Sequence, residues 1–363
     1  MTINNHHRIL ALDGGGIRGA ITLGYLEKIE VILRERYQKP DFRLCDYYDL
    51  IGGTSTGSII ATLLALGKSV EQIKTLYLEL GEAIFSEKES FLRRYLLAKF
   101  KPNKLKAKLD EHLGELTLGA EELKTGLAIV TKRSDTGGTW VFHNNPHGKY
   151  YEANKGILLK NIVRASTAAP SYFEPQQVNV GKNQQGMFVD GGVSMYNNPA
   201  LLLFMMATLQ GFGYHWEVGE DKLMITSIGT GISNDRIEMT EAAKRNNLYW
   251  ALNAADMYMY DANMLGVTIL QYLSESPTAI RINREIGDMK GDLLGGQKFL
   301  HYLRYNINLD ENELNSLGFT NINLQSLREM SKAENRFLLA DIGTKAAEKQ
   351  VKIEHFPKSF DMG

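Results

Sequence analysis

Gly53-Thr54-Ser55-Thr56-Gly57 stands between an apolar lead-in, Asp49 to Gly52, and an apolar run, Ser58 to Leu66, that stops at Gly67. This is the pattern of a strand turning abruptly into a helix. Side chains would clash in so tight a turn, which explains a glycine on either side of the serine, and the turn holds the hydroxyl proud at a helix N-terminus. The stretch reads as a G-x-S-x-G nucleophile elbow with Ser55 as the nucleophile. A chain carrying it must bring a strand end and a helix start together at one point.

A second glycine turn precedes it. Arg8 to Leu12 reads as a buried strand that runs straight into Asp13-Gly14-Gly15-Gly16-Ile17-Arg18-Gly19. A helical pattern follows, with Ile21, Tyr25, Leu26, Ile29, Ile32 and Leu33 on one face. Bare backbone N–H groups at a strand-to-helix turn bind negative charge. Gly14, Gly16 and Gly19 satisfy the dinucleotide fingerprint G-x-G-x-x-G, but that motif needs a second strand ending in an acid about 20 positions on. The helix runs on to Arg36 or Tyr37 and no such strand follows. A Walker loop fails because Gly-Lys-Ser/Thr is absent. The preferred reading is an oxyanion hole built from Gly14, Gly15 and Gly16, with Arg18 beside the developing charge or orienting the loop through a carboxylate.

Met187 to Val189 forms a third short strand, delivering Asp190 into the turn Gly191-Gly192, and Asn197-Asn198-Pro199 with an apolar helix comes next. Taken alone, an Asp-Gly pair is usually a turn residue or a cap. Taken together and in this order, the three motifs resemble those of the patatin-like phospholipases: Asp13 to Gly19, Gly53 to Gly57, and Asp190 to Gly192. Further similarity lies in Arg164-Ala165-Ser166-Thr167-Ala168-Ala169-Pro170, in Ser227-Ile228-Gly229-Thr230-Gly231 and, more loosely, in Tyr302-Leu303-Arg304-Tyr305. The resemblance covers roughly residues 7 to 232. It implies a three-layer α/β fold and a Ser55–Asp190 dyad that acts without histidine. It also implies an enzyme that hydrolyses acyl esters of membrane phospholipid or another acyl lipid, with no cofactor and no metal. Some bacterial members of the family resemble this chain in size and carry a C-terminal region that senses a cyclic dinucleotide, so a small-molecule activator is a second reading. The intact motifs argue against a purely storage or binding role.

Strand-like and helix-like segments alternate along the chain, which predicts a mainly parallel sheet covered by helices. The expected strands are Ile9–Leu12, Tyr48–Gly52, Gly126–Thr131, Thr139–His143, Gly186–Val189 and Leu223–Ile228, with a late one at Tyr302–Ile307. Residues 233 to 300 read as largely helical, and Asn321 to Val351 as closing helices. No linker or repeat divides the chain. The expectation is a catalytic core over 1–232 with a mostly helical part, 233–363, packed on the same domain.

Composition narrows the partners. With 363 residues, 44% hydrophobic and 23% charged, and a net charge of −1, the chain is an ordinary globular one with no bulk electrostatic attraction for nucleic acid. Its single cysteine, Cys45, suits a reducing compartment and a cytoplasmic location. The longest apolar run, Ala200 to Leu209, is short of the about 20 residues that span a bilayer. Residues 91–109 are basic and amphipathic, with Arg93, Arg94, Lys99, Lys101, Lys104, Lys106 and Lys108 interleaved with apolar residues. They read either as a peripheral membrane contact or as a solvated helix pair.

Histidine separates the dyad from an α/β-hydrolase triad, whose order is serine, acid, histidine. His215, His301 and His355 all follow Asp190, but none lies in a glycine-flanked turn. His143 and His147 share one loop without a carboxylate or cysteine cluster, which argues against a metal.

Overall fold

The computed structural model describes residues 6–85, 102–170, 172–181, 184–232 and 239–362. Its strands are β1 (His7–Leu12), β2 (Leu50–Thr54), β3 (Gly126–Arg133), β4 (Thr139–His143), β5 (Gln176–Asn179), β6 (Gln185–Asp190), β7 (Leu223–Ile228) and β8 (His301–Tyr305). The longer helices are α1 (Gly19–Tyr37), α2 (Thr56–Ala65), α3 (Val70–Phe85), α4 (Pro102–Leu113), α5 (Leu159–Ser166), α6 (Ala200–Thr208), α7 (Asn247–Tyr272) and α8 (Arg336–Gln350). One eight-stranded sheet runs in the order β5-β6-β3-β2-β1-β7-β8, with β4 paired to β3. Strands β3, β2, β1, β7 and β8 are parallel, while β4, β5 and β6 are added antiparallel.

The parallel strands are largely apolar on both faces, as strands covered on both sides usually are. Leu10 and Leu12 of β1 point into one core with Ile51, Leu127, Ile129 and the buried residues of α1, α2, α5 and α8. Ile9 and Ala11 point into the other, with Leu50, Val130, Ile225, Tyr302 and Leu203 of α6. The two cores make a three-layer α/β architecture. From β1 the chain moves outward to β2 and β3 on one side, and later to β7 and β8 on the other. Such a switch in direction opens a crevice at the carboxyl ends of the middle strands. All three glycine motifs leave strands at that end of the sheet or beside it.

β6 reaches the crevice in a specific way. β2 pairs with Gly126–Val130 of β3, and β6 pairs with Thr131–Arg133 beyond it. β4 occupies the other edge of β3 over Ala128–Lys132. β6 therefore continues where β2 stops, and its last residue, Asp190, arrives next to the residue that follows β2.

The expected strands all form, with ends shifted by a residue or two; β5 has no counterpart among them. The stretch 233 to 300 differs from its expected helical character. Among its described residues one long helix forms, α7, and 273 to 300 is mostly irregular. Gly287, Gly291, Gly295 and Gly296 there have φ of 60°, 84°, 60° and 70°, which no helix accommodates. Within 91–109, residues 91–101 lie outside the described residues. The rest belongs to α4, where Leu105 and Leu109 are buried and Lys108 pairs with Glu111. Among the described residues no helix is long and apolar enough to cross a membrane.

Residues on both sides of position 232 share one core, since β8 pairs with β7 and α8 packs along α1. The helix contact closes on glycines: a Cβ at Gly24 would lie 2.3 Å from the carbonyl carbon of Gly343, and one at Gly343 would lie 2.4 Å from the oxygen of Ile21. Backbone cannot yield to such an overlap. Gly24→Ala or Gly343→Ala is expected to destabilise the fold by about 1–3 kcal/mol despite better helix propensity. Urea unfolding measures this, and unchanged or increased stability in both variants would contradict the packing.

Candidate active site

Ser55 sits between β2 and α2 with φ 53° and ψ −125°, a conformation that side-chain-bearing residues rarely adopt. Such a residue costs on the order of 1–3 kcal/mol and persists only where its surroundings hold it. Here they do. A Cβ at Gly53 would fall 2.2 Å from the carbonyl oxygen of Gly57, and one at Gly57 would fall 2.4 Å from that of Leu12. Ser166 completes the hold: its hydroxyl accepts the Ser55 N–H at 2.9 Å and donates to the Val130 carbonyl at 2.7 Å.

The turn aims the Ser55 hydroxyl at Asp190. Oγ donates to Oδ2 at 2.5 Å, and the other carboxylate oxygen accepts the N–H of Gly192 at 2.7 Å. Asp190 is buried and, among the described residues, has no cationic partner at hydrogen-bond distance. Burial pushes its carboxyl up to about 6, against the opposing influence of the bonds from Ser55 and Gly192. The sheet fixes its position: Asp190 pairs with Thr131 in β3, its N–H donates to Ala168 at 3.0 Å, and Thr54 donates to the carbonyl of Tyr196 at 2.7 Å.

The glycine loop faces the same point from β1. Gly14 donates its N–H to Asn197 at 3.0 Å, and its carbonyl accepts from Thr230 at 3.0 Å and from Asn197 at 3.2 Å. The Gly14 amide is thus occupied, which corrects its expected place in an oxyanion hole. The amides of Gly15 and Gly16 have no protein acceptor among the described residues. The loop needs glycine at both. A Cβ at Gly15 would lie 2.2 Å from Thr230 Oγ1, and Gly16, at φ 58°, would meet the carbonyl oxygen of Met330 at 2.3 Å. Tyr77 donates its hydroxyl to the Gly16 carbonyl and locks that peptide.

Of the two roles expected for Arg18, beside the developing charge or orienting the loop, the first is not where its side chain lies. It is buried, with Nη1 donating to the carbonyl of Arg328 at 3.4 Å, and it is absent from the lining of the cavity over Ser55. Burial lowers its pKa to about 10, opposed by the nearby carboxylate of Asp256. It holds the loop to the C-terminal region instead of reaching the Ser55–Asp190 pair.

That cavity holds about 350 Å³. Ser55, Asp190, Gly15 and Gly16 lie in its wall with Ile59, Tyr77, Leu80, Leu105, Phe173 and Met259. Among the described residues Asp190 and Asp256 supply its carboxylates, and the rest is mainly apolar. The size and character suit an acyl chain or similar small apolar body. Among the described residues no histidine lines it. His301 is buried against the His355 carbonyl at 2.8 Å, His355 Nδ1 meets the Tyr305 hydroxyl at 2.9 Å, and His215 is exposed. His143 is packed beside Phe212 and Tyr214, where burial lowers it to about 4. Among the described residues no three His, Cys, Asp or Glu side chains gather as a metal site would require.

Sequence reasoning passed over several residues of this arrangement. Ser166, Asn197 and Thr230 lie inside stretches whose similarity was visible, but their roles depend on contacts 36 to 216 positions apart in the chain. Tyr77 carries no sequence signal at all.

Comparison with known proteins agrees with this geometry. The chain is 34% identical over 209 residues to a cGAMP-activated phospholipase of Vibrio cholerae, covering 55% of this chain and 57% of that protein. It is 31% identical over 227 residues to a cGAMP-activated phospholipase of Escherichia coli, covering 61% and 62%. The matched regions therefore span less than two thirds of these relatives' lengths. Patatin group M-3 of Solanum tuberosum is 29% identical over 284 residues, 70% of each chain. The family profile described as patatin-like phospholipase matches residues 10–204, a span that contains Ser55, Asp190 and the whole glycine loop. The chain belongs to the patatin-like phospholipase family.

Proposed function

We propose that this protein is a lipid acyl hydrolase that cleaves carboxylic esters of phospholipid or a related acyl lipid with Ser55 and Asp190. The observation that carries the reading is the 2.5 Å bond between the two side chains in the wall of an apolar cavity. As Ser55 Oγ attacks the ester carbonyl, its proton passes to Asp190 Oδ2. The carbonyl oxygen becomes an oxyanion, for which the amides of Gly15 and Gly16 are the assigned donors. Collapse of the tetrahedral intermediate breaks the ester C–O bond, and the leaving alcohol takes the proton from Asp190. Water then attacks the acyl-enzyme and gives its proton to Asp190. Fatty acid leaves, and Ser55 regains its hydrogen.

A carboxylate raised to about 6 is a better base than an ordinary aspartate and is still ionised at neutral pH. Peripheral contact of 91–109 with an anionic membrane fits the same reading, because the substrate resides there. The names of the bacterial relatives favour a further refinement, that the hydrolase is switched on by cGAMP. Hydrolysis of a mixed phospholipid extract with and without cGAMP tests it: activation supports an effector, and equal rates support a constitutive lipase.

Ser55→Ala and Asp190→Asn are each expected to lower turnover by roughly 10³-fold or more, and the double variant no further, because either loss disables the same nucleophile. Alanine at His215, His301 or His355 is expected to leave substantial turnover. A histidine variant as inactive as Ser55→Ala would replace the dyad with a triad.

The pH dependence follows from Asp190. kcat/KM is expected to fall on the acid side with an apparent pKa near 6, as the base becomes protonated. Stability moves in the opposite sense. The folded-state pKa lies above the ordinary 3.8, so Asp190's favourable contribution is complete below about pH 4 and is lost as pH rises through about 6. Asp190→Asn is therefore expected to stabilise the fold at pH 7, by on the order of 1–3 kcal/mol, with the gain vanishing near pH 4. Thermal melts of both proteins from pH 4 to 8 would show it, and a pH-independent difference would contradict it.

A further inference from the structure

Arg304 stands on β8, remote in sequence from every glycine motif, yet its guanidinium grips the first residue of the glycine loop. Nη1 donates to Asp13 Oδ1 at 2.9 Å and Nη2 donates to Oδ2 at 2.6 Å. The fork is itself held, with Nη1 on Ser227 Oγ at 2.7 Å and Nη2 near Asn263 Oδ1 at 3.5 Å. The backbone N–H of Arg304 donates to Thr278 Oγ1 at 2.7 Å. Both charged partners are almost wholly buried, Arg304 at 3% and Asp13 at 5% exposure.

A buried ion pair adds little net stability over apolar packing of similar volume. A bidentate fork does supply direction, because it sets the carboxylate plane and with it the backbone that bears it. Asp13 continues the ladder through its N–H to Ile228 at 3.0 Å, and Gly14 follows through its N–H to Asn197 at 3.0 Å. The next two peptide units carry the unpartnered N–H groups of Gly15 and Gly16. Donors to an oxyanion act only when held about 2.7–3.1 Å from where that oxygen will form.

We propose that Arg304 is a positioning residue for ester hydrolysis: through Asp13 it sets the orientation of the Gly15 and Gly16 amides. It lines no part of the cavity and touches no reacting atom. The chemistry at Ser55 thereby depends on a residue outside the 10–204 span matched by the family profile. This inference rests on the hydrolase reading above and on those two amides as its oxyanion donors.

Arg304→Lys keeps the charge but cannot form the fork. With a short soluble p-nitrophenyl ester as the probe, kcat is expected to fall roughly 10- to 100-fold while KM stays within about twofold, since oxyanion donors act on the transition state. Asp13→Asn is expected to show the same split, and the double variant to be no worse than either single one. Each rate is taken per folded molecule, from thermal melts read at the assay temperature. Should Arg304→Lys fail to fold, Ser227→Ala removes only one anchor of the guanidinium and is expected to lower kcat severalfold at nearly unchanged Tm. Wild-type kcat per folded molecule in Arg304→Lys, or in Ser227→Ala where the lysine variant fails to fold, would overturn the proposal. Multiplying losses in the double variant would do so too. A wild-type protein that hydrolyses no ester, with or without cGAMP, defeats the hydrolase reading itself. An active wild type with an equally active Arg304→Lys defeats only the positioning role.

Discussion

Everything at this site depends on one steric contact, the approach of Gly57 to the end of β1. A Cβ at Gly57 would fall 2.4 Å from the Leu12 carbonyl oxygen and 2.7 Å from that of Asp13. The first turn of α2 thus lies directly on the strand that launches the glycine loop. Nothing larger than a hydrogen fits, so the elbow and the loop share a wall of backbone without intervening side chains. Because Gly53 closes on Gly57 in the same way, the chain between them has little freedom left. Ser55 is driven to positive φ as the remaining solution, and its hydroxyl points out of the turn. The strain is local, and the parallel sheet beneath it is largely apolar and mostly buried. That rigid support is what allows a strained residue to persist.

The second constraint is electrostatic. In a Ser–His–Asp triad the imidazole titrates near neutrality and the carboxylate only orients it. Here the carboxylate meets the serine directly, and an aspartate with its ordinary pKa would be a poor base. Burial corrects this by disfavouring the charged form, while two donors, the Ser55 hydroxyl and the Gly192 amide, keep the anion tolerable. A cation beside Asp190 would undo the effect by stabilising the carboxylate. The nearby arginines are committed elsewhere: Arg304 to Asp13, and Arg18 to the Arg328 carbonyl. Both guanidiniums hold the glycine loop, and neither is hydrogen-bonded to Asp190.

Much of this was legible in the sequence because it rests on local rules. Gly53, Gly57, Gly191 and Gly192 mark turns that only glycine permits, and strands such as Leu223–Ile228 announce themselves by continuous apolar runs. The residues that escaped reading act across the fold. Nothing near Ser166 reveals that its hydroxyl bridges Ser55 to Val130, and Arg304 finds Asp13 over a separation of 291 positions. Gly14 and Arg18 show the converse failure. Their residue types suit an oxyanion hole, but tertiary partners, Asn197 and Arg328, take up the groups concerned. The stretch 273 to 300 departs from its expected helical character for a local reason, since Gly287, Gly291, Gly295 and Gly296 stand at positive φ.

The C-terminal region also gains a physical meaning from these contacts. Three separate groups from it reach the glycine loop: Arg304 holds Asp13, the Met330 carbonyl accepts the N–H of Ile17 at 2.9 Å, and the Arg328 carbonyl accepts from Arg18. Met330 also occupies the space that any side chain at Gly16 would need. α8 presses Gly343 against α1, the helix that begins where this loop ends. Arg304, Arg328, Met330 and Gly343 therefore supply much of what holds the loop that bears the Gly15 and Gly16 amides. Control of the chemistry by events in the C-terminal region needs no new machinery, only a change in how firmly that region grips residues 13 to 18.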